Sequence, residues 1–124
     1  MKVLALDYGS ARTGVAVSDP TGTIARPLGA VERVGTDPGL ARLRALIAEH
    51  SPDRVVVGLP LTLRGERGEQ AKETERFVET LRAAVTCPVV LYDERFTSVL
   101  ADGDDARAAA HLLSSFIEWR SAHR

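Results

Sequence analysis

Short apolar runs punctuated by turn residues open the chain. Residues 2–8 carry Val3-Leu4-Ala5-Leu6, residues 13–19 carry Val15-Ala16-Val17, and Gly9 and Ser10 lie between them. Two apolar runs joined by a glycine turn predict a β-hairpin. A third short strand is expected over Thr21–Leu28, after the Asp19-Pro20-Thr21-Gly22 turn. The spacing then changes to helical. Thr36 or Asp37 can cap a helix, Pro38 suits its first turn, and Leu40, Leu43, Leu46 and Ile47 form its apolar stripe. Arg54-Val55-Val56-Val57-Gly58-Leu59-Pro60 does not alternate, which predicts a central parallel strand buried on both faces. Leu63–Gln70, with Gly65 and Gly68 among charges, reads as an exposed loop. A second helix is expected over residues 70–85, a fifth strand over Pro88–Glu94, and a last helix from about Asp104 to Arg120.

This order, a three-stranded meander followed by helix, strand, helix, strand, helix, predicts an α/β fold within one domain over residues 1–124. Strands joined through helices run parallel with right-handed crossovers. Ligands in such sheets gather beyond the carboxyl ends of the strands. Acids stand at those ends: Asp7 closes the first strand, and Asp93-Glu94 close the fifth. The last helix offers another. Asp105, Ala109, Leu112 and Phe116 share one helical face, the face that must pack on the sheet. Each acid also has a structural reading. Asp7 can bind the turn after it, Asp93 and Glu94 can pair with Arg95, and Asp105 can cap its helix. Carboxylates brought together repel unless a cation neutralises them. An oxygen-only donor set suits magnesium or manganese better than zinc.

Composition narrows the class. Hydrophobic residues make up 44% and charged residues 27%, ordinary values for a soluble globular protein. No apolar run is long enough for a membrane helix, and no signal-peptide pattern precedes the first strand. The single cysteine, Cys87, excludes an internal disulfide and fits the reducing cytoplasm, as a small buried thiol. His50, His111 and His123 are scattered, with His111 expected on a helix surface. A net charge of −1 argues against nucleic-acid binding by bulk electrostatics alone. Of the 16 basic residues 14 are arginine, the side chain suited to bidentate phosphate contacts.

Several stretches resemble the YqgF family of ribonuclease H-like proteins, described as pre-16S rRNA nucleases and as Holliday junction resolvase-like. They are Leu6-Asp7-Tyr8-Gly9 through Arg12-Thr13-Gly14-Val15-Ala16, Ser18-Asp19-Pro20, Val57-Gly58-Leu59-Pro60-Leu61, Asp93-Glu94-Arg95-Phe96-Thr97-Ser98, and Asp105 with Ala108-Ala109-Ala110. The resemblance implies a five-stranded mixed sheet of order 3-2-1-4-5, its first three strands antiparallel, flanked by helices. It also implies a divalent-metal nuclease centre on Asp7, Glu94 and Asp105, holding one or two magnesium or manganese ions. In the neighbouring resolvases the middle acid lies on strand four. Gly58 stands near that place here, so Glu94 is the expected substitute and Asp93 the alternative. Adjacent strand residues face opposite ways, and only one of the pair can enter the site.

By the same resemblance, Gly9, Arg12, Arg64, Arg67, Arg95 and Thr97 are expected to contact substrate. The implied partners are RNA or single-stranded or branched DNA, together with ribosome precursors, for a cytoplasmic monomer or weak homodimer. The implied role is processing of the 5′ end of pre-16S rRNA. Rival readings are a junction-cutting DNA endonuclease, which needs a symmetric dimer, and a non-catalytic RNA-binding scaffold. An ATP-handling domain of the actin and sugar-kinase superfamily needs a second domain that 124 residues cannot supply. One departure stands out. Family members commonly carry a longer, basic segment before the final acidic helix, whereas Val99–Asp104 covers the gap with six residues that include acids and no base.

Overall fold

Strands and helices follow one another as the polarity pattern predicts. The elements are β1 (Val3–Asp7), β2 (Arg12–Ser18), β3 (Ala25–Glu32), α1 (Asp37–His50), β4 (Arg54–Leu59), α2 (Glu69–Ala84), β5 (Val89–Asp93) and α3 (Asp105–Ala122). They belong to a computed structural model that describes residues 1–62, 64–94 and 104–123. The expectations on Arg95, Thr97 and most of the Val99–Asp104 link fall outside the described residues.

The sheet order is β3-β2-β1-β4-β5. β1 is antiparallel to β2 and β2 to β3, while β4 runs parallel to β1 and to β5. This is the mixed sheet that the family resemblance implied. Strand periodicity divides the core into two layers. Leu4, Leu6, Val15, Val17, Val55 and Val57 pack with α1 and α2 through Leu43, Ile47, Phe77, Val78 and Leu81. Val3, Ala5, Ala16 and Val56 face the other way, against Ala109, Leu112, Leu113, Phe116 and Ile117 of α3. Small side chains on that second face let one helix cover it closely. Full burial of a leucine such as Leu112 or Leu113 stabilises the fold by roughly 2 kcal/mol.

The helix ends follow from local chemistry. The Thr36 hydroxyl accepts the Gly39 N–H at 3.2 Å, Pro38 occupies the first turn of α1, and Ser51 closes the helix in a left-handed conformation. The Asp104 carboxylate accepts the Arg107 N–H at 3.1 Å and caps α3. α2 begins at Glu69, so the exposed segment before it is shorter than expected, and α3 extends to Ala122.

The third strand lies later than Thr21–Leu28. The Asp19 carboxylate accepts the N–H groups of Thr23 and Ile24 at 2.7 and 2.8 Å, which folds residues 19–24 into a closed turn and delays the strand to Ala25. The β2–β3 register then shifts, Val15 pairing with Gly29 and Ala16 with Pro27. Gly29 there has φ of 149°, a conformation that side chains disfavour. Cys87 is half-buried rather than buried, and burial pushes its thiol pKa up. His111 is exposed, as expected. Among the described residues no helix is long and apolar enough to cross a membrane.

Candidate active site

Strand parity puts the acids on one face. Val3, Ala5 and Asp7 alternate toward α3 along β1, as Val56 and Gly58 do along β4 and Val90 and Tyr92 along β5. The Glu94 N–H still donates to the Leu59 carbonyl at 3.3 Å, carrying the β4–β5 pairing one residue past the strand. Glu94 thus keeps the parity of Tyr92, and its carboxylate lies over Gly58. A Cβ on Gly58 would meet the Glu94 carboxylate and, at 3.1 Å, Leu112 Cδ2. Asp93 has the opposite parity.

Asp105 arrives from above the same face. Gly14 pairs with Asp7 across the β1–β2 ladder. A Cβ on Gly14 would occupy the place of the Asp105 backbone carbonyl, so the first residue of α3 rests on the strand beside Asp7. Gly9 serves the preceding turn, where a Cβ would collide with the Arg12 carbonyl. The Thr13 hydroxyl spans that turn, 3.4 Å from the Gly9 N–H and 3.3 Å from its carbonyl oxygen.

Electrostatics links the three carboxylates through Asp7. Burial raises the Asp7 pKa, and the Asp105 charge raises it further. Glu94 is pushed up to about 7, by burial first and then by the charges of Asp7 and Asp93. Asp105 has a cation of its own, Arg12 Nε at 3.1 Å, in a pair with side chains 61% and 31% exposed. Among the described residues, no three His, Cys, Asp or Glu side chains are close enough together to hold a metal ion. The acids share a face and a field, with Asp105 turned to its arginine. A buried oxygen-only pair, Asp7 and Glu94, whose members disfavour each other's ionisation, nevertheless has the donor chemistry of a hard divalent cation.

The expected substrate contacts divide. Arg12 stands at the site, bound to Asp105. Arg67 is held by Glu75, with Nε and Nη2 at 2.8 and 2.6 Å from one carboxylate oxygen. Arg64 is exposed on the loop between β4 and α2. Sequence reasoning did not single out Tyr8, whose ring stacks on Phe77 with centroids 4.7 Å apart and whose hydroxyl lies 3.3 Å from Glu73. Its signal was available, since Tyr8 and Leu6 share the parity of the larger core layer.

Known proteins resemble this chain in sequence or in fold. A protein of Chloroflexus aurantiacus named "Putative pre-16S rRNA nuclease" is 49% identical over 100 residues, an alignment spanning 81% of this chain and 65% of that relative. One of the same name from Desulforudis audaxviator is 34% identical over 100% of this chain and 99% of its own length. The fold matches that of Thermus thermophilus RuvC, solved in complex with a Holliday junction substrate. Its TM-score is 0.64 at 19% identity, covering 98% of this chain and 96% of that one. The sequence profile of RuvX, described as Holliday junction resolvase, matches residues 1–118, so this chain belongs to the RuvX family, the one its motifs resemble.

Proposed function

We propose that the protein is a divalent-metal-dependent nuclease that hydrolyses phosphodiester bonds and processes the 5′ end of pre-16S rRNA in the bacterial cytoplasm. The observation that carries this reading is the Glu94 carboxylate over Gly58, coupled electrostatically to Asp7 on the face where α3 presents Asp105. The names of the curated relatives supply the RNA substrate.

Asp7 and Glu94 would hold one or two magnesium or manganese ions, with Asp105 joining them on turning from Arg12. Bound there, the metal supplies charge neutralisation and a water activated at neutral pH. Asp7 anchors the centre, because β1 is hydrogen-bonded on both sides. Glu94 reaches in from the sheet edge. Arg12 holds Asp105 in readiness and offers a cation to the phosphate of an approaching strand. Arg64 is exposed and can meet a flanking phosphate, whereas Arg67 must first leave Glu75. Arg95 and Thr97 follow Glu94 in the chain and are assigned to substrate contact on that ground.

The test compares wild type with Asp7→Asn on single-stranded RNA, precursor rRNA and four-way DNA junctions, with manganese or magnesium. Cleavage of precursor rRNA by wild type alone is the expected result. Equal activity in both overturns the assigned centre, and RNA binding without cleavage leaves a scaffold. A second reading is a resolvase-like DNA endonuclease, favoured by the description of the matched family. Paired cuts in four-way junctions by a symmetric dimer would select it, in place of a monomer or weak homodimer acting on RNA.

A further inference from the structure

β5 is an edge of the sheet, and the groove between it and α3 encloses about 430 Å³. That volume falls within the range of small-ligand sites, roughly 300–1,000 Å³. Its lining is unusual for a protein edge. Tyr92, Phe116 and Trp119 form an aromatic wall, with Tyr92 and Phe116 edge to face at 5.5 Å and Phe116 and Trp119 stacked at 6.2 Å. Trp119 lines this groove and is 47% exposed. His123 stacks on it at 4.6 Å, holding the indole in place.

Two guanidinium groups stand at one end. Arg54 has the parity of Val56 and Gly58 and therefore faces α3. Its Nε is buried and, among the described residues, has no hydrogen-bond partner. A buried donor without an acceptor costs about 1–3 kcal/mol, so the position calls for an acceptor from outside. Arg120 donates to the Gly22 carbonyl at 3.3 Å and lies 6.0 Å from the centre of the Phe116 ring. Among the described residues, neither guanidinium is paired with a carboxylate. Asp93 closes the opposite end, next to Glu94.

We infer that this groove is a subsite for single-stranded nucleic acid, in which Trp119 stacks a base while Arg54 and Arg120 meet the phosphates. Flat rings joined by anions match an aromatic wall ending in two cations. Strand addition by a protein fits less well. The Pro88 carbonyl accepts from Val55, so the Val89 carbonyl points to the free edge, where Arg82 Nε and Nη2 already cap it at 3.1 and 2.9 Å. The groove runs down from the residue beside Glu94. It would therefore hold nucleotides flanking the bond cut at the acid centre, an extension that rests on the nuclease reading.

Trp119 is the chain's one tryptophan, so its fluorescence reports the groove directly. Wild-type protein in EDTA is titrated with the hexanucleotides rA6 and dA6, following indole emission and, separately, the anisotropy of labelled oligonucleotides. Saturable quenching is expected, with affinity weakened about 5- to 150-fold in Trp119→Ala, the range that stacking of one base supports. Arg54→Gln is expected to reduce the salt slope of log affinity by about 0.7, the loss of one single-strand phosphate contact. The rA6 and dA6 arms show whether the subsite discriminates RNA from DNA. Absence of quenching, or unchanged affinity in Trp119→Ala, overturns the subsite, as does a concentration-dependent dimer in which Trp119 is already shielded. Quenching by a protein that cleaves nothing in metal would sink the nuclease reading and leave the subsite standing.

Discussion

Gly14 lies beneath the backbone of Asp105, and no side chain fits between them. The contact joins β2 to the start of α3 at the position that pairs with Asp7. Backbone cannot yield as the end of a flexible side chain can, so Gly14→Ala must lift the helix terminus. Overpacking of this kind typically costs about 1–3 kcal/mol. The expected outcome is a stability loss in that range by urea titration, together with loss of cleavage. Wild-type activity in Gly14→Ala would show that the position of Asp105 is not critical.

Gly58→Ala tests the other seat. The added methyl would meet the end of the Glu94 side chain, which can swing aside, and Leu112 Cδ2, which must give slightly. Stability is expected to fall less than in Gly14→Ala. Manganese affinity, measured by calorimetry on the folded variant, should fall about 10-fold or more.

Glu94 predicts a pH dependence. Its folded pKa, about 7, lies above the ordinary value of 4.5, so the folded state binds the proton more tightly than the unfolded chain. Its contribution is complete below pH 4.5 and is lost as pH rises through 7. In EDTA, the melting temperature of wild type should decline over that window more than that of Glu94→Gln. A divalent cation should restore wild type at pH 8 and help the variant less. Parallel curves for the two proteins would refute the assignment of the shift to Glu94.

Asp19 works in the opposite sense. Its carboxylate accepts from the Ile24 N–H, from the Thr21 hydroxyl and from the N–H groups of Thr23 and Thr21, which holds its pKa well below the usual carboxylate range. The stabilisation is present above the unfolded value near 4 and disappears as pH falls through the folded one. Asp19→Ala should lower the melting temperature at pH 6 and converge on wild type in strong acid, as a thermal series from pH 2 to 7 would reveal.

Arg12→Ala separates stability from function. The Arg12–Asp105 pair is largely exposed, so its loss should change stability by no more than about 1 kcal/mol. Cleavage should nonetheless fall, with a KM more salt-sensitive in wild type than in the variant. An unaltered salt dependence would remove Arg12 from substrate contact.

Much of this layout was legible in the residues. The unbroken Val55–Val57 run announced a strand covered on both faces. Period-two parity said that only one of Asp93 and Glu94 could enter the site, and the choice of Glu94 came from the family resemblance. The stripe of Asp105, Ala109, Leu112 and Phe116 faces the sheet as its spacing required. The start of β3 was misread because the Asp19 side chain closes residues 19–24 through hydrogen bonds that hydrophobicity does not encode. The Arg12–Asp105 pair and the Gly14 seat were hidden for a related reason. Both depend on how closely two distant segments approach, a distance set by small residues such as Ala16 and Ala109.

α3 is at once the lid of one core layer and the carrier of an acid. The two roles cannot be tuned apart. Thermal fluctuations that peel this helix away expose Ala5, Ala16 and Val56 in the same event that carries Asp105 from Asp7. Slow hydrogen exchange in α3 and an intact site should therefore rise and fall together. Substitutions at Leu113, an apolar residue of the core layer beneath α3, would act as a rheostat on how often the centre is assembled.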